Sequence, residues 1–153
     1  LKRAGAQSVR KLVLDDLDAI TKLEGTADRV LVDAPCSGIG AWRRHPEARW
    51  RLTAERLDQH VEDQKNILAA AAKMVTPGGR LVYATCSLLG QENQQQIATF
   101  LEDHPDFKLM PVSEIWARSV GTECPTAGNE LLLSPASTNT DGFYCAVMER
   151  NAT

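Results

Sequence analysis

Two cysteines stand out by where they fall. Cys36 sits in Asp33-Ala34-Pro35-Cys36-Ser37-Gly38 and Cys86 in Thr85-Cys86-Ser87, each directly after an apolar run. A cysteine thiolate is a nucleophile suited to covalent catalysis where its surroundings are polar and partly electropositive. The loop carrying Arg43 and Arg44, and the dipole of a helix following Ser87, are candidate sources of that setting. Asp33 is a carboxylate close enough in sequence to serve the same site. Taken singly, each cysteine also reads as a small buried hydrophobe and Asp33 as a loop cap. The repeated placement in two turn-forming motifs favours chemistry. Cys124 and Cys145 are assigned to the buried class. With no CxxC pair and only three unpaired histidines, neither a disulfide framework nor a metal site is expected.

The elements that must position these thiols are two strands. Asp28–Ala34 (DRVLVDA) is a nearly unbroken apolar run ending at Pro35, the pattern of a parallel strand buried on both faces. Arg80–Thr85 (RLVYAT) is the second. Between them Thr53 is a plausible N-cap for a helix whose apolar face carries Leu57, Val61, Leu68, Ala71 and Val75, with Pro77-Gly78-Gly79 as its stop. Strand, helix, strand is a βαβ unit with parallel strands. Ligands of open α/β sheets lie outside the carboxyl ends of the strands, where Cys36 and Cys86 both fall.

Further elements follow the same class. Val9–Leu14 reads as a strand ending at Asp15-Asp16, after a helix tail over Leu1–Gln7. A helix is expected over about Gln91–Glu102, with Ile97, Phe100 and Leu101 on its core side, and strands over Phe107–Pro111 and Phe143–Glu149. The Thr-, Pro-, Gly- and Asn-rich stretch Ser119–Asp141 is read as a long loop. The fold class is α/β, an open doubly wound sheet.

The 153 residues suffice for one domain. No apolar run approaches the ~20 residues that cross a bilayer, and no targeting segment is evident, so the cytoplasm is expected; a monomer is the default expectation, with nothing in the sequence that fixes the oligomeric state. The chain opens Leu1-Lys2-Arg3 without methionine and is expected to be part of a longer polypeptide. A net charge of −3 argues against a whole surface that grips nucleic acid, though not against a local patch. Arg43, Arg44, His45, Arg49, Trp50 and Arg51 form such a patch, able to contact phosphates and stack on bases. The alternative is a solvated loop with Trp50 packed on the domain body. Tyr83 and Trp116 are read as core, His60 and His104 as exposed.

The two cysteine motifs together, with Arg43-Arg44-His45-Pro46-Glu47 and Trp50, Pro77 through Ser87, Glu92-Asn93, and Thr140-Asp141-Gly142-Phe143-Tyr144, resemble the RNA 5-methylcytosine methyltransferases of the Sun, or nucleolar-protein, family. The likeness is to bacterial members that act on small-subunit ribosomal RNA, and it runs along most of the chain. It implies the C-terminal portion of a Rossmann-like fold that uses S-adenosylmethionine. It also implies that Cys86 is the nucleophile adding to C6 of cytosine and that Cys36 helps release the product. Asp33 would lie near cofactor and base, Asp15 (or Asp16) and Pro35 beside the cofactor, and Arg43, Arg44, His45 and Trp50 on RNA. The family's glycine-rich cofactor loop has no counterpart before Asp15, so this segment alone is expected to bind cofactor weakly and not to turn over.

Two other functions are open to the same residues. A methyltransferase-like RNA-binding domain without catalysis would tolerate loss of Cys86. A cysteine hydrolase would need a histidine base, and none of His45, His60 and His104 falls at a strand end.

Overall fold

The computed structural model describes Gly5, Ser8, Val9 and residues 21–152. The expected helix tail, most of the expected strand over Val9–Leu14, and Asp15 and Asp16 lie outside them. Five strands form one mixed sheet: β1 (Ala27–Asp33), β2 (Val75–Thr85), β3 (Phe107–Leu109), β4 (Leu131–Leu133) and β5 (Phe143–Arg150). β1 and β2 are parallel, with Val32 opposite Tyr83 and Asp33 opposite Ala84. β5 runs antiparallel to β2 on one side and to β3 and β4 on the other, so β3 and β4 lie end to end along it.

The crossover helix α1 (Ala54–Met74) begins where its cap was expected: Thr53 Oγ1 accepts from Arg56 N at 3.3 Å. Its Leu68, Ala71 and Ala72 are buried against Val32, Leu81, Tyr83, Ala146 and Met148. α2 (Gln94–Asp103) adds Ile97 and Phe100 to this core. Alternation along the strands sets the pattern, since successive side chains point to opposite faces. Leu81, Tyr83 and Thr85 share one face with Tyr144, Ala146 and Met148.

Three expectations are corrected. β1 is buried on its α1 face only; Leu31 on the other face is 69% exposed, because no described residue covers this edge strand. The helix stop at Pro77-Gly78-Gly79 is instead part of β2: the helix ends at Met74, and the pairing jumps from Ala27–Val75 to Arg29–Arg80 with these residues as the bulge. The stretch expected as a long loop carries β4 and a one-turn helix α4 (Pro135–Thr138), and α3 (Val112–Ser119) precedes it. Leu131–Leu133 becomes a strand because β5 offers an open edge.

Candidate active site

β1 and β2 end side by side, and the ladder continues one residue further through Ala34 N to Ala84 O at 3.0 Å. The two chains then turn together, which brings Cys36 Sγ and Cys86 Sγ to 3.5 Å. Both thiols are half-buried. Burial, and then the neighbouring Cys86 charge, push the Cys36 thiol up from 9.0 to about 12. Cys36 therefore holds its proton at neutral pH and can donate a weak S–H hydrogen bond to Cys86.

Beneath the pair lies a polar cluster that sequence reasoning did not assign. Glu92 is fully buried. Its Oε1 accepts from Ser37 N at 2.8 Å and from Gln64 Nε2 at 3.1 Å. Its Oε2 accepts from Ser37 Oγ and Ser87 Oγ. Gln64 also donates to Pro35 O at 2.9 Å, and its own Oε1 accepts from Gln96 Nε2 at 3.3 Å. Asn93, equally buried, accepts from Thr85 Oγ1 at 2.7 Å and donates to Ser87 O at 3.0 Å. Tyr83 OH donates to Glu92 O at 2.7 Å. Every buried polar group named here has a partner, as the cost of an orphan requires. The sequence offered one signal: Gln64 sits on the otherwise apolar stripe of α1, where a polar side chain needs a buried acceptor.

A second tie runs through backbone. Gly40 N donates to Cys86 O, and Gly142 N donates to Gly40 O, both at 2.9 Å. A Cβ on Gly40 would stand 2.2 Å from Gly142 O, so this approach demands that the side chain be absent. The turn before β5 is thus joined to the Cys86 loop. It also brings Asp141 to the basic loop, where Arg43 Nε and Arg44 Nε pair with its two carboxylate oxygens at 2.7 and 2.5 Å.

The two groups expected to make the setting of the thiols electropositive are engaged otherwise. Arg43 and Arg44 are exposed and share the single carboxylate of Asp141, while α2 starts only at Gln94 and the group next to Ser87 is the Glu92 carboxyl. Asp33 ends β1 with its side chain exposed, and among the described residues it has no hydrogen bond or ion pair. Pro35 is exposed as well. Trp50 does not pack on the body: it is 76% exposed, with the Arg49 guanidinium 4.3 Å from its ring centroid. His45 Nδ1 lies 3.6 Å from Glu47 Oε1.

Tyr83 is core as expected. Trp116 is half-buried, its Nε1 donating to Thr122 Oγ1 at 3.1 Å. His60 and His104, expected exposed, are half-buried, and His104 stacks on Phe100 at 4.5 Å. Cys124 and Cys145 are half-buried, and burial raises the Cys145 thiol. Among the described residues no group of His, Cys, Asp and Glu side chains is clustered to hold a metal ion, and no helix is long and apolar enough to cross a membrane.

Known proteins share this fold. The structure of NSun6 from Pyrococcus horikoshii with SFG matches with a TM-score of 0.74 at 27% identity, over 97% of this chain and 36% of that one. The sheet is that of the Rossmann-like, S-adenosylmethionine-dependent methyltransferase fold. The family described as 16S rRNA methyltransferase RsmB/F matches residues 1–149, and the chain belongs to that family. Among its relatives, ribosomal RNA small subunit methyltransferase B of Vibrio cholerae is 42% identical over 123 residues, which is 80% of this chain and 26% of the relative. A probable methyltransferase of the same name from Synechocystis is 37% identical over 80% of this chain and 27% of its own length. The chain spans about a quarter of the length of these curated relatives.

Proposed function

We propose that the protein of which this chain is the C-terminal catalytic part transfers a methyl group to C5 of a cytosine in small-subunit ribosomal RNA, through a covalent bond between Cys86 and C6. The observation that carries this reading is the thiol pair, 3.5 Å apart at the carboxyl ends of two parallel strands. C5 of cytosine is a poor nucleophile. Addition of the Cys86 thiolate at C6 makes it enamine-like and able to attack an electrophilic carbon. S-adenosylmethionine, when bound, supplies that carbon as an activated methyl group.

The residues present fit this cofactor: Asp33 has an exposed carboxylate free of described partners at the end of β1, and Pro35 is exposed after it. SFG in the NSun6 neighbour, an analogue of S-adenosylmethionine, supports the same choice. Asp15, the other expected contact, lies outside the described residues. Asp33 also suits the base, where a carboxyl group beside N3 and N4 stabilises the charge that develops on the ring.

Cys36 takes the second role. Before attack its retained proton can hydrogen-bond to Cys86. Once Cys86 is bonded to carbon its charge is gone, and one of the two main forces holding the Cys36 proton is lifted. Cys36 can then give up that proton to solvent water and, as thiolate, accept the one on C5; the C5–H electron pair forms the C5–C6 double bond as the C6–S bond breaks and Cys86 leaves as thiolate. Loss of both restores the aromatic ring.

Arg43, Arg44, His45 and Trp50 are read as RNA contacts. Trp50, open to solvent beside Arg49, is a stacking platform of the kind single-stranded bases use. The target base reaches the thiols from a single strand or by flipping out of a stack. A cytoplasmic protein acting as a monomer is part of this reading, as is inactivity of the 153-residue segment by itself.

The test uses full-length protein, cofactor and RNA carrying 5-fluorocytosine, resolved on a denaturing gel. Fluorine at C5 blocks the final proton loss, so wild type and Cys36→Ala should stay bound to RNA while Cys86→Ala should not. Trapping that depends on Cys36 and survives loss of Cys86 would reverse the two roles. No trapping in any variant would favour an RNA-binding domain without catalysis.

A further inference from the structure

We propose that Glu92 is a positioning residue whose buried carboxylate, by binding the serine that follows each cysteine, holds Cys36 and Cys86 at reacting distance. The role in catalysis rests on the function proposed above; the geometry does not. Ser37 and Ser87 come from the ends of two different strands, and their hydroxyls meet on a single oxygen of Glu92, with the two Oγ atoms 3.2 Å apart. The same carboxylate takes the Ser37 backbone N–H and the Gln64 amide. All four partners donate, so Glu92 acts only as acceptor and its capacity is well used. Neither cysteine has another described side chain within hydrogen-bonding distance of its sulfur. The spacing of the thiols is therefore set by what fixes their loops. Gly40 and Gly142 brace the Cys86 loop through backbone, and among the described residues outside the two loops Glu92 alone bonds to both by side chain.

The carboxylate is an expensive choice for this purpose, since a buried charge costs free energy unless its bonds are complete. An amide or hydroxyl would be cheaper for packing alone. The two oxygens of the carboxylate accept from two hydroxyls and two N–H groups at once, which links three chain segments through one atom pair. Removing it leaves donors on both cysteine loops without an acceptor, and the loops separate to reach water.

The experiment measures thiol spacing directly, on the full-length parent protein, as the rate of Cys36–Cys86 disulfide closure by diamide. The two thiols give two electrons and two protons to the diazene, which becomes the hydrazine, and the S–S bond forms. Closure is followed by mass spectrometry of the linked peptides. Glu92→Ala is expected to slow it about tenfold or more. Glu92→Gln is expected to stay within about threefold of wild type, because its oxygen keeps the two N–H partners and its amide can donate to the two hydroxyls. Charge alone predicts the opposite of slowing, since loss of a nearby anion favours thiolate and speeds closure. If Glu92→Ala does not fold, the double variant Ser37→Ala with Ser87→Ala replaces it, with the same slowing expected. Closure at the wild-type rate in whichever of these folds overturns the proposal, and so does equal slowing in Glu92→Gln. Neither RNA nor cofactor enters the measurement. Failure of wild type to be trapped on 5-fluorocytosine RNA would therefore sink the methyl-transfer reading and leave the disulfide rates to decide the role of Glu92.

Discussion

The cysteine loops and the basic loop are neighbours in sequence and are held in opposite ways. Around Cys36 and Cys86, five fully buried polar residues (Gln64, Thr85, Ser87, Glu92 and Asn93) hold the chain by hydrogen bonds away from solvent. Around Arg43–Arg51, the ties are ion pairs of two exposed arginines with the half-buried Asp141, and a guanidinium resting on an exposed indole. Buried bonds are costly to lose and fix geometry; exposed pairs contribute little and leave the loop free to adapt. The thiol pair, 3.5 Å apart, sits in the first region, and the groups proposed to meet a flexible polymer sit in the second.

The largest effect that would break this contrast belongs to Gly40→Ala. Its methyl group meets backbone rather than a movable side chain, so a loss of about 3 kcal/mol or more is expected in thermal unfolding of the parent protein. An unchanged melting temperature would mean that the Gly40–Gly142 contact is not rigid. Asn93→Ala comes next: it orphans Thr85 Oγ1 and Ser87 O and should lower stability by about 2 kcal/mol in urea titration. A value near zero would show water entering the clamp.

A pH prediction sharpens the comparison at Cys36. Its folded value, about 12, exceeds the ordinary 9.0, so the folded state holds the proton more tightly than the unfolded chain does. The resulting stabilisation is full below pH 9.0 and fades as pH rises toward about 12. Iodoacetamide should therefore label Cys36 slowly at pH 8, and Cys86→Ala, which removes one cause of the shift, should move labelling to lower pH. The same profile in both proteins would leave burial as the sole cause. The smallest change in stability is expected at Trp50→Ala, within about 0.5 kcal/mol, while RNA binding should weaken about tenfold through lost stacking. A large loss of stability there would show that the indole is packed after all.

The frame of the sheet was legible because its signals are local. The apolar runs of β1, β2 and β5 and the spaced apolar face of α1 carry their own periodicity, and Thr53 caps where a threonine before such a face should. β4 and α4 were not legible, since three leucines and a Pro-Ala-Ser-Thr turn take their form from the open edge of β5 and from Ser134. β1 misled in a different way: its run is apolar on both faces, yet the described residues cover only one. At the site, the cysteines announced themselves at strand ends. Glu92 did not, because an acidic residue just before a helix ordinarily reads as a solvated first-turn residue. Its burial depends on Ser37, 55 positions away, a pairing that only the finished fold supplies.

The place of β5 has a consequence for how this site comes into being. It is last in chain order among the described strands, yet it lies between β2 and the pair β3 and β4, and the turn that leads into it supplies Gly142. Synthesis delivers both cysteines well before that strand. Until Phe143–Arg150 arrives, β3 and β4 have no edge to join, and Gly40 O, whose own N–H already holds Cys86 O, waits for its partner Gly142. The sheet is completed from its middle rather than its rim, by the strand that holds neither cysteine of the pair.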